Sequence, residues 1–294
     1  MKIAVIGSIN VDMTVTASRI PNKGETIHGT SLHLIPGGKG ANQAVAMAKL
    51  GADVEMFGCV GDDVLGVQML DNLKKQNVRT DHIQTVRGES TGNALITVAE
   101  HDNTIVVVPG ANGRVDRAYV DSVMPSVREY DMVVLQHEIP LDTVNYIIDR
   151  CYEEQIPVLL NPAPAARVDA ERMKKLTYLT PNEHEAALIY GEDRPLEEVL
   201  RQYPEKLVVT RGSKGVSTCL ADGTILTVPS RKVEVVDTTG AGDTLNGAFA
   251  VRITAGDDMK SALIYANAAA SLSIQKFGAQ GGMPTASEVE EVLS

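Results

Sequence analysis

A turn of small residues beside a carboxylate is the strongest chemical signal in the sequence. Gly240, Ala241 and Gly242 come directly before Asp243, and a run of helix-forming residues follows. Small residues let the backbone turn sharply, so that its amide groups and the positive end of the following helix meet at one point. This is typical of an anion hole for a phosphoryl group, where an adjacent carboxylate can take a proton from an attacking hydroxyl. The turn alone leaves a second role open, in which Asp243 only caps the helix.

Two further segments combine polar side chains with glycines or with an extended backbone. Gly38, Lys39 and Asn42 stand at a glycine-rich helix entry, where close backbone approach and side-chain donors suit the oxygens of a sugar. Asn10 and Asp12 are two residues apart in an extended segment, so their side chains project to one side and can pair with vicinal hydroxyls. A solvated lysine in the first segment and an Asn/Asp turn in the second stay open as alternatives.

Single residues exclude several other nucleotide and metal motifs. Leu245 stands where a dinucleotide-binding GxGxxG pattern needs glycine. Gly40 stands where a Walker A loop ending at Lys39 needs serine or threonine. Leu141 replaces the second histidine of the HExxH motif that would begin at His137, so we do not expect a catalytic zinc.

Alternating strand and helix patterns predict the frame that holds these residues. Buried β-branched runs alternate with segments of helical spacing, which predicts an α/β fold with a doubly wound, mostly parallel sheet flanked by helices. The predicted strands are 2–7, 54–60, 132–136, 157–161 and 207–210, with a strand-like segment 232–236 before the Asp243 turn, and the predicted helices are 41–50, 64–76, 141–153 and 196–203.

Two segments with an alternation of period two, 14–36 and 93–108, interrupt this pattern. They predict antiparallel strands that form a small lid over the carboxyl edge of the sheet, where ligands of such folds bind. No linker or repeat separates them from the rest of the chain. We therefore predict a single domain over residues 1–294, with lid strands inserted at about 12–36 and 92–109.

The composition restricts the partners of the protein. The chain has 294 residues and a formal net charge of −11, which opposes binding to nucleic acid and to anionic membrane surfaces. No apolar run approaches the length of a membrane span, and we expect a cytoplasmic location. Cys59, Cys151 and Cys219 form neither a disulfide nor a zinc pattern, and we expect buried thiols.

Together these segments resemble the ribokinase branch of the PfkB sugar kinases over essentially the whole chain. GGKGANQA at 37–44 and DTTGAGDTLNGAFA at 237–250 are similar to the two signatures of that family, and further similarity lies at 161–165, 180–183 and 210–215. The resemblance implies transfer of phosphate from ATP to the 5-hydroxyl of D-ribose, giving D-ribose 5-phosphate and ADP. It also implies that Asp243 is the general base and that 240–243 form the anion hole.

The resemblance further implies roles for individual residues. The residues implied to hold the sugar are Asn10, Asp12, Gly38, Lys39, Gly40, Ala41, Asn42, Glu138 and Asp243. Those implied for ATP are Asn182, Thr210, Arg211, Gly212, Ser213, Lys214, Gly215, Gly242 and Asn267. Glu185 is implied to hold Mg²⁺ through water, and an activating K⁺ is implied at Asp237, Thr239, Ser273, Lys276, Gly278 and Gly282, mostly through backbone carbonyls.

Rival functions share the same anion hole. A related kinase acting on deoxyribose, fructose or a nucleoside is one alternative, and a non-catalytic sensor of sugar or nucleotide is another. Asn10, Asp12 and Lys39 favour a small pentose, because they offer no apolar platform for a nucleobase. The resemblance also implies a homodimer joined through the lid strands, for which unpaired strand edges give a physical motive.

Overall fold

The computed structural model describes residues 1–100 and 102–294. Its strands are β1 Lys2–Ile6, β2 Asn10–Ala17, β3 Gly29–Gly37, β4 Asp53–Gly61, β5 Ile83–Val86, β6 Gly92–Ala99, β7 Asp102–Val108, β8 Met132–Gln136, β9 Val158–Asn161, β10 Tyr178–Leu179, β11 Val208–Thr210, β12 Val216–Cys219 and β13 Ile225–Val228. Its helices are α1 Lys39–Lys49, α2 Val64–Lys75, α3 Arg117–Val127, α4 Leu141–Glu153, α5 Ala170–Lys175, α6 Glu183–Tyr190, α7 Leu196–Gln202, α8 Ala241–Thr254, α9 Met259–Ser273, α10 Ala279–Gly282 and α11 Ala286–Leu293. Short 3-10 turns lie at Gly110–Arg114 and Gly212–Lys214.

The central sheet has the strand order β10-β9-β8-β1-β4-β5, and every neighbouring pair is parallel. Successive side chains of β1 enter two different cores: Ile3 and Val5 pack with α1, α8 and α9, whereas Ala4 and Ile6 pack with α3 and α4. A sheet buried on both faces needs apolar residues at nearly every position, which is why its strands read as continuous apolar runs. The predicted α/β class is confirmed.

The strand predicted at 207–210 is present but belongs to a different ladder. β11 pairs antiparallel with β12, which pairs with β13, and this three-stranded sheet touches the β10 side only through isolated parallel bridges. The bridges of Leu179 with Leu207 and of Asn182 with Thr210 set this strand parallel to the end of the central sheet, whereas its continuous ladder is the antiparallel one with β12. A buried β-branched run predicts a strand but does not reveal its partner.

The lid is a four-stranded sheet with the order β3-β2-β6-β7. Each hairpin, β2 with β3 and β6 with β7, is antiparallel as predicted. The two hairpins join through β2 and β6, which run parallel, and this pairing was missed. It connects segments far apart in the sequence, so no local turn signal marks it.

The strand-like segment 232–236 does not form a strand. Most of its residues are exposed, and the amides of Val236 and Asp237 donate to the carbonyl of Ile274 at the end of α9, at 2.8 and 3.2 Å. β-branched composition favours an extended backbone, but a strand also requires a neighbouring strand. The extended segment instead leads the chain along α9 to the Asp243 turn.

In residues 1–100 and 102–294, no helix combines the length and the apolar character that a bilayer span requires.

Cys59, Cys151 and Cys219 are free and buried, as predicted. Burial raises the pKa of the Cys59 and Cys151 thiols to about 12, so both stay protonated and unreactive at neutral pH.

A buried carboxylate joins β4 to the segments around β5 and α3. Glu55 is 2% exposed and accepts a hydrogen bond from the hydroxyl of Tyr130, while Nδ1 of His82 lies within hydrogen-bonding distance of its second oxygen. Arg79 pairs with Glu55 at 3.2 Å. Because each of these groups is oriented toward one buried charge, the cluster should stabilise this end of the sheet.

We expect Glu55→Gln to lower the free energy of unfolding by about 2–4 kcal/mol, because a neutral amide removes the buried charge that faces Arg79 and makes one donor, the Tyr130 hydroxyl or the His82 ring, face an NH₂ group. Urea denaturation at pH 7 measures the change. Asp53→Asn is the matched control, since Asp53 pairs with the same arginine at 3.2 Å but its side chain is 47% exposed. That pair should contribute less than about 1 kcal/mol. Equal losses in the two variants would contradict a special role for Glu55.

Candidate active site

Asp243 lies where two chambers meet at the carboxyl edge of the central sheet. The larger chamber, about 550 Å³, lies under the lid, and the smaller, about 130 Å³, lies between α8 and the start of α6. Lys39, Gly240 and Asp243 line both. The larger chamber also contains Asn10, Asp12, Gly38, Asn42 and Glu138, and the smaller contains Asn182, Glu185, Thr210 and Gly242.

The carboxylate of Asp243 does not cap its own helix. α8 has Gly240 as its N-cap, with φ of 79° and no side-chain capping bond. Asp243 stands in the first turn and is 7% exposed, with one oxygen accepting from Nδ2 of Asn42 and the other from Nε2 of Gln43, both at 3.0 Å. The capping alternative is therefore excluded, and the carboxylate is held toward the chambers by two amides of α1.

Backbone amides at the start of α8 are available for an anion. Within the part of the chain that the structure describes, the amides of Gly242 and Asp243 find no acceptor. The amide of Ala241 instead donates to the carbonyl of Thr238 at 3.2 Å. Two free N–H groups at a helix N-terminus, beside the positive end of the helix dipole, suit a phosphoryl oxygen.

Charge in the site is dominated by one cation among four carboxylates. Burial opposes the charge of Lys39, but Asp243, Glu138, Glu185 and Asp12 outweigh it and raise the lysine pKa. Burial raises the pKa of Asp243, while Lys39 and the two amides oppose the rise. Burial, with Glu138 and Asp243 nearby, raises the pKa of Asp12 to about 6, and burial also raises that of Glu185. Burial thus raises the pKa of three carboxyl groups that line the chambers, which is a property of many catalytic sites.

The sugar-side residues are fixed by their neighbours. Glu138 accepts from the hydroxyl of Ser8 at 2.6 Å and from the amide of Lys39 at 2.9 Å, which ties the end of β8 to the start of α1. Asn10 accepts from Nδ2 of Asn112 at 2.7 Å. Gly38 has φ of 86°, and a Cβ there would lie 2.7 Å from the amide nitrogen of Asn10, so only glycine fits.

Two residues implied for the sugar lie outside the chambers. Gly40 and Ala41 are buried below the site, where their amides donate to the hydroxyl and the carbonyl of Ser8 at 3.2 and 2.9 Å. A Cβ on Gly40 would lie 2.6 Å from the amide nitrogen of Ser8. Their contacts support close packing of α1 on the β1–β2 connection.

The residues implied for ATP form two groups. Asn182 and Glu185 make a capping box at the start of α6, with reciprocal bonds of 2.8 Å, beside the smaller chamber. Arg211 and Lys214 both reach Glu183 of the same helix, at 3.1 and 3.2 Å, while Gly212 and Ser213 are exposed.

Asn267 lies away from the smaller chamber but close to this loop. Its Nδ2 atom donates to the carbonyl of Pro229 at 2.6 Å. Gly215, with φ of 91°, packs on the same segment, since a Cβ there would lie 1.9 Å from the carbonyl oxygen of Val228. Residues 228–230 thus bring Asn267 and the 210–215 loop to one edge of the site.

The residues implied for a monovalent cation lie around the loop after α9. The carboxylate of Asp237 accepts from the amide of Thr239 and from the amide of Gly278, both at 2.9 Å, and these bonds lower its pKa although burial opposes them. A Cβ on Gly282 would lie 2.1 Å from the carbonyl oxygen of Ser273 and 3.4 Å from that of Lys276. Asp237 is thus bonded to Thr239 and Gly278, while Gly282 packs against the carbonyls of Ser273 and Lys276.

Comparison with known proteins identifies the family. The model of the pfkB family carbohydrate kinases matches residues 1–286. This chain belongs to the PfkB family. A Bacillus subtilis protein named ribokinase is 51% identical over 292 residues and covers 99% of both chains, and one from Lactococcus lactis is 46% identical over 294 residues, covering 99% of this chain and 97% of its own. The structure of Arabidopsis thaliana ribokinase complexed with ribose and ATP is 32% identical, has a TM-score of 0.92 and matches 99% of this chain and 98% of its own.

The PfkB chain also contains site residues that the sequence analysis missed. Gln43 is completely buried and donates to Asp243 and to Asn161, at 3.0 and 3.1 Å, while its oxygen accepts from Gln136 at 2.7 Å. Gln280 donates to Asn42 at 3.0 Å. The available signal was the run Ala41 to Met47, where amides interrupt small and apolar residues on a helix expected to be buried.

Proposed function

We propose that this PfkB-family protein transfers the γ-phosphoryl group of ATP to the 5-hydroxyl of D-ribose, giving D-ribose 5-phosphate and ADP. The observation that carries the proposal is the position of Asp243 between the chamber under the lid, which contains Asn10, Asp12 and Glu138, and a smaller chamber beside free helix amides. The likeness to proteins named ribokinase, over nearly the full length of both chains, supports the same substrate pair.

Each step of the proposed transfer is assigned to groups at the chamber junction. Asp12, Asn10 and Asn42 hold the ribose hydroxyls in the larger chamber. Asp243 takes the proton of the 5-hydroxyl as its oxygen attacks the γ-phosphorus, and the bond to the ADP oxygen breaks on the opposite side. The amides of Gly242 and Asp243, together with the ammonium group of Lys39, stabilise the negative charge on the transferred oxygens.

The smaller chamber suits magnesium bound mainly by water and phosphate. Glu185 uses one carboxylate oxygen for the capping box, and the other is available to a water ligand. No three His, Cys, Asp or Glu side chains converge on a metal site among the residues the structure describes, which agrees with an ion brought by its nucleotide. When bound, Mg²⁺ would neutralise phosphate charge.

A potassium ion fits the chemistry of the loop after α9. The proposed donors are the carbonyl oxygens of Ser273 and Lys276 and the oxygens of Asp237. Hard oxygen donors that carry little total charge suit a large monovalent ion. We propose that K⁺ raises turnover. The melting temperature tests K⁺ binding separately from turnover. It should be higher in KCl than in tetramethylammonium chloride, because the loop should not bind the tetramethylammonium ion.

Asp12 should make ribose binding depend on pH. Sugar hydroxyls donate to its carboxylate, so binding requires the charged form, and the pKa near 6 means that this form is lost below pH 6. We expect the ribose dissociation constant to rise by up to about tenfold for each pH unit below 6. Calorimetric titration from pH 5 to 8 measures it, and Asp12→Asn should bind more weakly but with a flat profile. A variant that kept the wild-type pH dependence would show that another group is responsible.

A homodimer through the lid is also part of the proposal. Leu34, Met13, Leu95 and Val106 stand opposite one another across the four lid strands, away from the chamber. Leu34, Leu95 and Val106 are 48 to 61% exposed, and an apolar row of this kind favours burial against a second copy. Light scattering should give a dimer that Leu95→Asp dissociates.

A cytoplasmic location is also part of the proposal, because the protein would use ATP and its cysteines are free thiols.

A substrate panel tests the proposed reaction. Purified protein with ATP, Mg²⁺ and KCl is offered ribose, 2-deoxyribose, fructose and a nucleoside, with ADP release as the rate and ³¹P NMR to identify the product. We expect the largest kcat/KM for ribose and a 5-phosphate product. A larger kcat/KM for another acceptor would identify the protein as a PfkB kinase with a different substrate. The absence of sugar-dependent ADP release would favour a non-catalytic sensor.

A further inference from the structure

A chain of side-chain amides leads from Asp243, through Asn42 at the larger chamber, to α10 and α2 behind the site. Asn42 on α1 donates to Asp243 at 3.0 Å, Gln280 on α10 donates to Asn42 at 3.0 Å, and Asn72 on α2 donates to Gln280 at 2.8 Å. Asn42 and Gln280 are each 6% exposed. We call Asn72, Gln280 and Asn42 the amide chain.

The direction of every bond in the amide chain is set by the carboxylate at its end. An ionised carboxylate only accepts hydrogen bonds, so Asn42 must turn its NH₂ group toward Asp243. Its oxygen then faces away and needs a donor, which Gln280 supplies with Nε2. The oxygen of Gln280 in turn accepts from Asn72.

Gln280 is itself held in place by main-chain contacts. The ammonium group of Lys49 donates to the carbonyl of Gln280 at 2.7 Å. The preceding residue, Ala279, packs against Gly240, where a Cβ would lie 2.7 Å from the Ala279 Cβ. Among the described residues that line the two chambers, Ala279 is present and Gln280 is absent, so Gln280 acts from behind the site.

We propose that Gln280 is a positioning residue for phosphoryl transfer, which holds the amide of Asn42 with its NH₂ group toward Asp243 and so keeps the base oriented and ionised. The inference rests on the proposed function, in which Asp243 is the base. Without Gln280, the Asn42 amide is free to turn and present its oxygen to the carboxylate. Asp243 then loses a donor and faces a lone pair, which favours its protonated form.

Kinetics of Gln280→Met, Asn42→Ala and the double variant test whether Gln280 acts through Asn42. We expect Gln280→Met to lower kcat by about tenfold or more and to move the acid limb of the kcat profile, measured at saturating ribose, to higher pH. In the Asn42→Ala background the same change should add less than about twofold, because the amide that Gln280 orients is gone. Gln68→Met, an exposed change one turn before Asn72, should leave both quantities unaltered. A full loss in the Asn42→Ala background, or an unmoved acid limb, would overturn the proposal.

A titration without turnover separates this inference from the proposed reaction. The ¹³C signal of the Asp243 carboxyl, assigned by its loss in Asp243→Asn, reports the pKa of that group in the ligand-free protein. It should titrate at higher pH in Gln280→Met than in wild type or Gln68→Met, and equal values would refute the role of Gln280 even where no sugar is phosphorylated. Gln280→Leu also removes the donor to Asn42 without adding a charge, serves where the Met variant does not fold, and should show the same shift.

Discussion

Replacing Asp243 with asparagine is expected to lower kcat by at least about 100-fold and by as much as about 10,000-fold, the range that a general base contributes. An amide cannot accept the proton of the 5-hydroxyl, whereas the free amides of Gly242 and residue 243 remain to hold phosphate. The dissociation constants of ATP and ribose should therefore change far less than kcat. Steady-state kinetics and calorimetric titration of each ligand measure the two effects separately.

Asp243→Ala is the companion variant, because asparagine brings a problem of its own. Both carboxylate oxygens of Asp243 accept from amides, so an NH₂ group at this position faces the NH₂ of Asn42 or of Gln43. One of those amides must turn. If the missing proton acceptor is the cause, the alanine variant, which creates no such conflict, should lose the same rate within about tenfold. A loss below about tenfold in either variant would exclude Asp243 as the base.

Gly240→Ala is expected to lower kcat by about 100- to 1,000-fold, the loss that follows from disturbing an oxyanion-type site. Gly240 has φ of 79°, a conformation that a side chain disfavours, and a Cβ would lie 2.7 Å from the Cβ and 2.8 Å from the Cα of Ala279. Since Ala279 begins a short helix anchored by Lys49, the turn must move instead. The amides of Gly242 and Asp243 then no longer point at the phosphoryl group.

Gly281→Ala is the matched control for this prediction. It adds the same methyl group to the helix against which Gly240 packs, but nothing lies within 4 Å of the new Cβ. Its kcat should stay within about twofold of wild type. Thermal melting of both variants shows whether the Gly240 loss is confined to the site. Similar activity in the two variants would mean that the turn tolerates a side chain.

The frame of the site could be read from the sequence because it follows from local rules. Continuous apolar runs mark strands covered on both faces, and Lys2–Ile6 and Met132–Gln136 agree with the structure within a residue. The carboxyl ends of such strands share one edge, so Glu138, which follows β8, could be placed at the edge where ligands bind. Glycines with positive φ at 38 and 240 mark the turns that bring the two signature segments to that edge.

Contacts between distant segments could not be predicted in this way. The role of Gln280 depends on Asn42, which lies more than two hundred residues earlier in the chain. No local sequence pattern around either residue predicts this contact. The pairing of β2 with β6 likewise joins segments that are far apart in the chain. Segment 232–236 was predicted as a strand from its β-branched composition, but it forms none because no neighbouring strand pairs with it.

The parallel pairing of β2 with β6 also bears on the order in which the molecule folds. These strands are separated in the chain by β3, α1, β4, α2 and β5, so the lid sheet joins only after that long loop has closed. Contacts of large sequence separation form slowly, whereas each hairpin can form by itself. During refolding, the amides of the joined lid should gain protection from hydrogen exchange after those of β1 and β4, and ribose binding should return with this last phase. The pocket that selects the sugar would then form only after the pairing of β1 with β4 is complete.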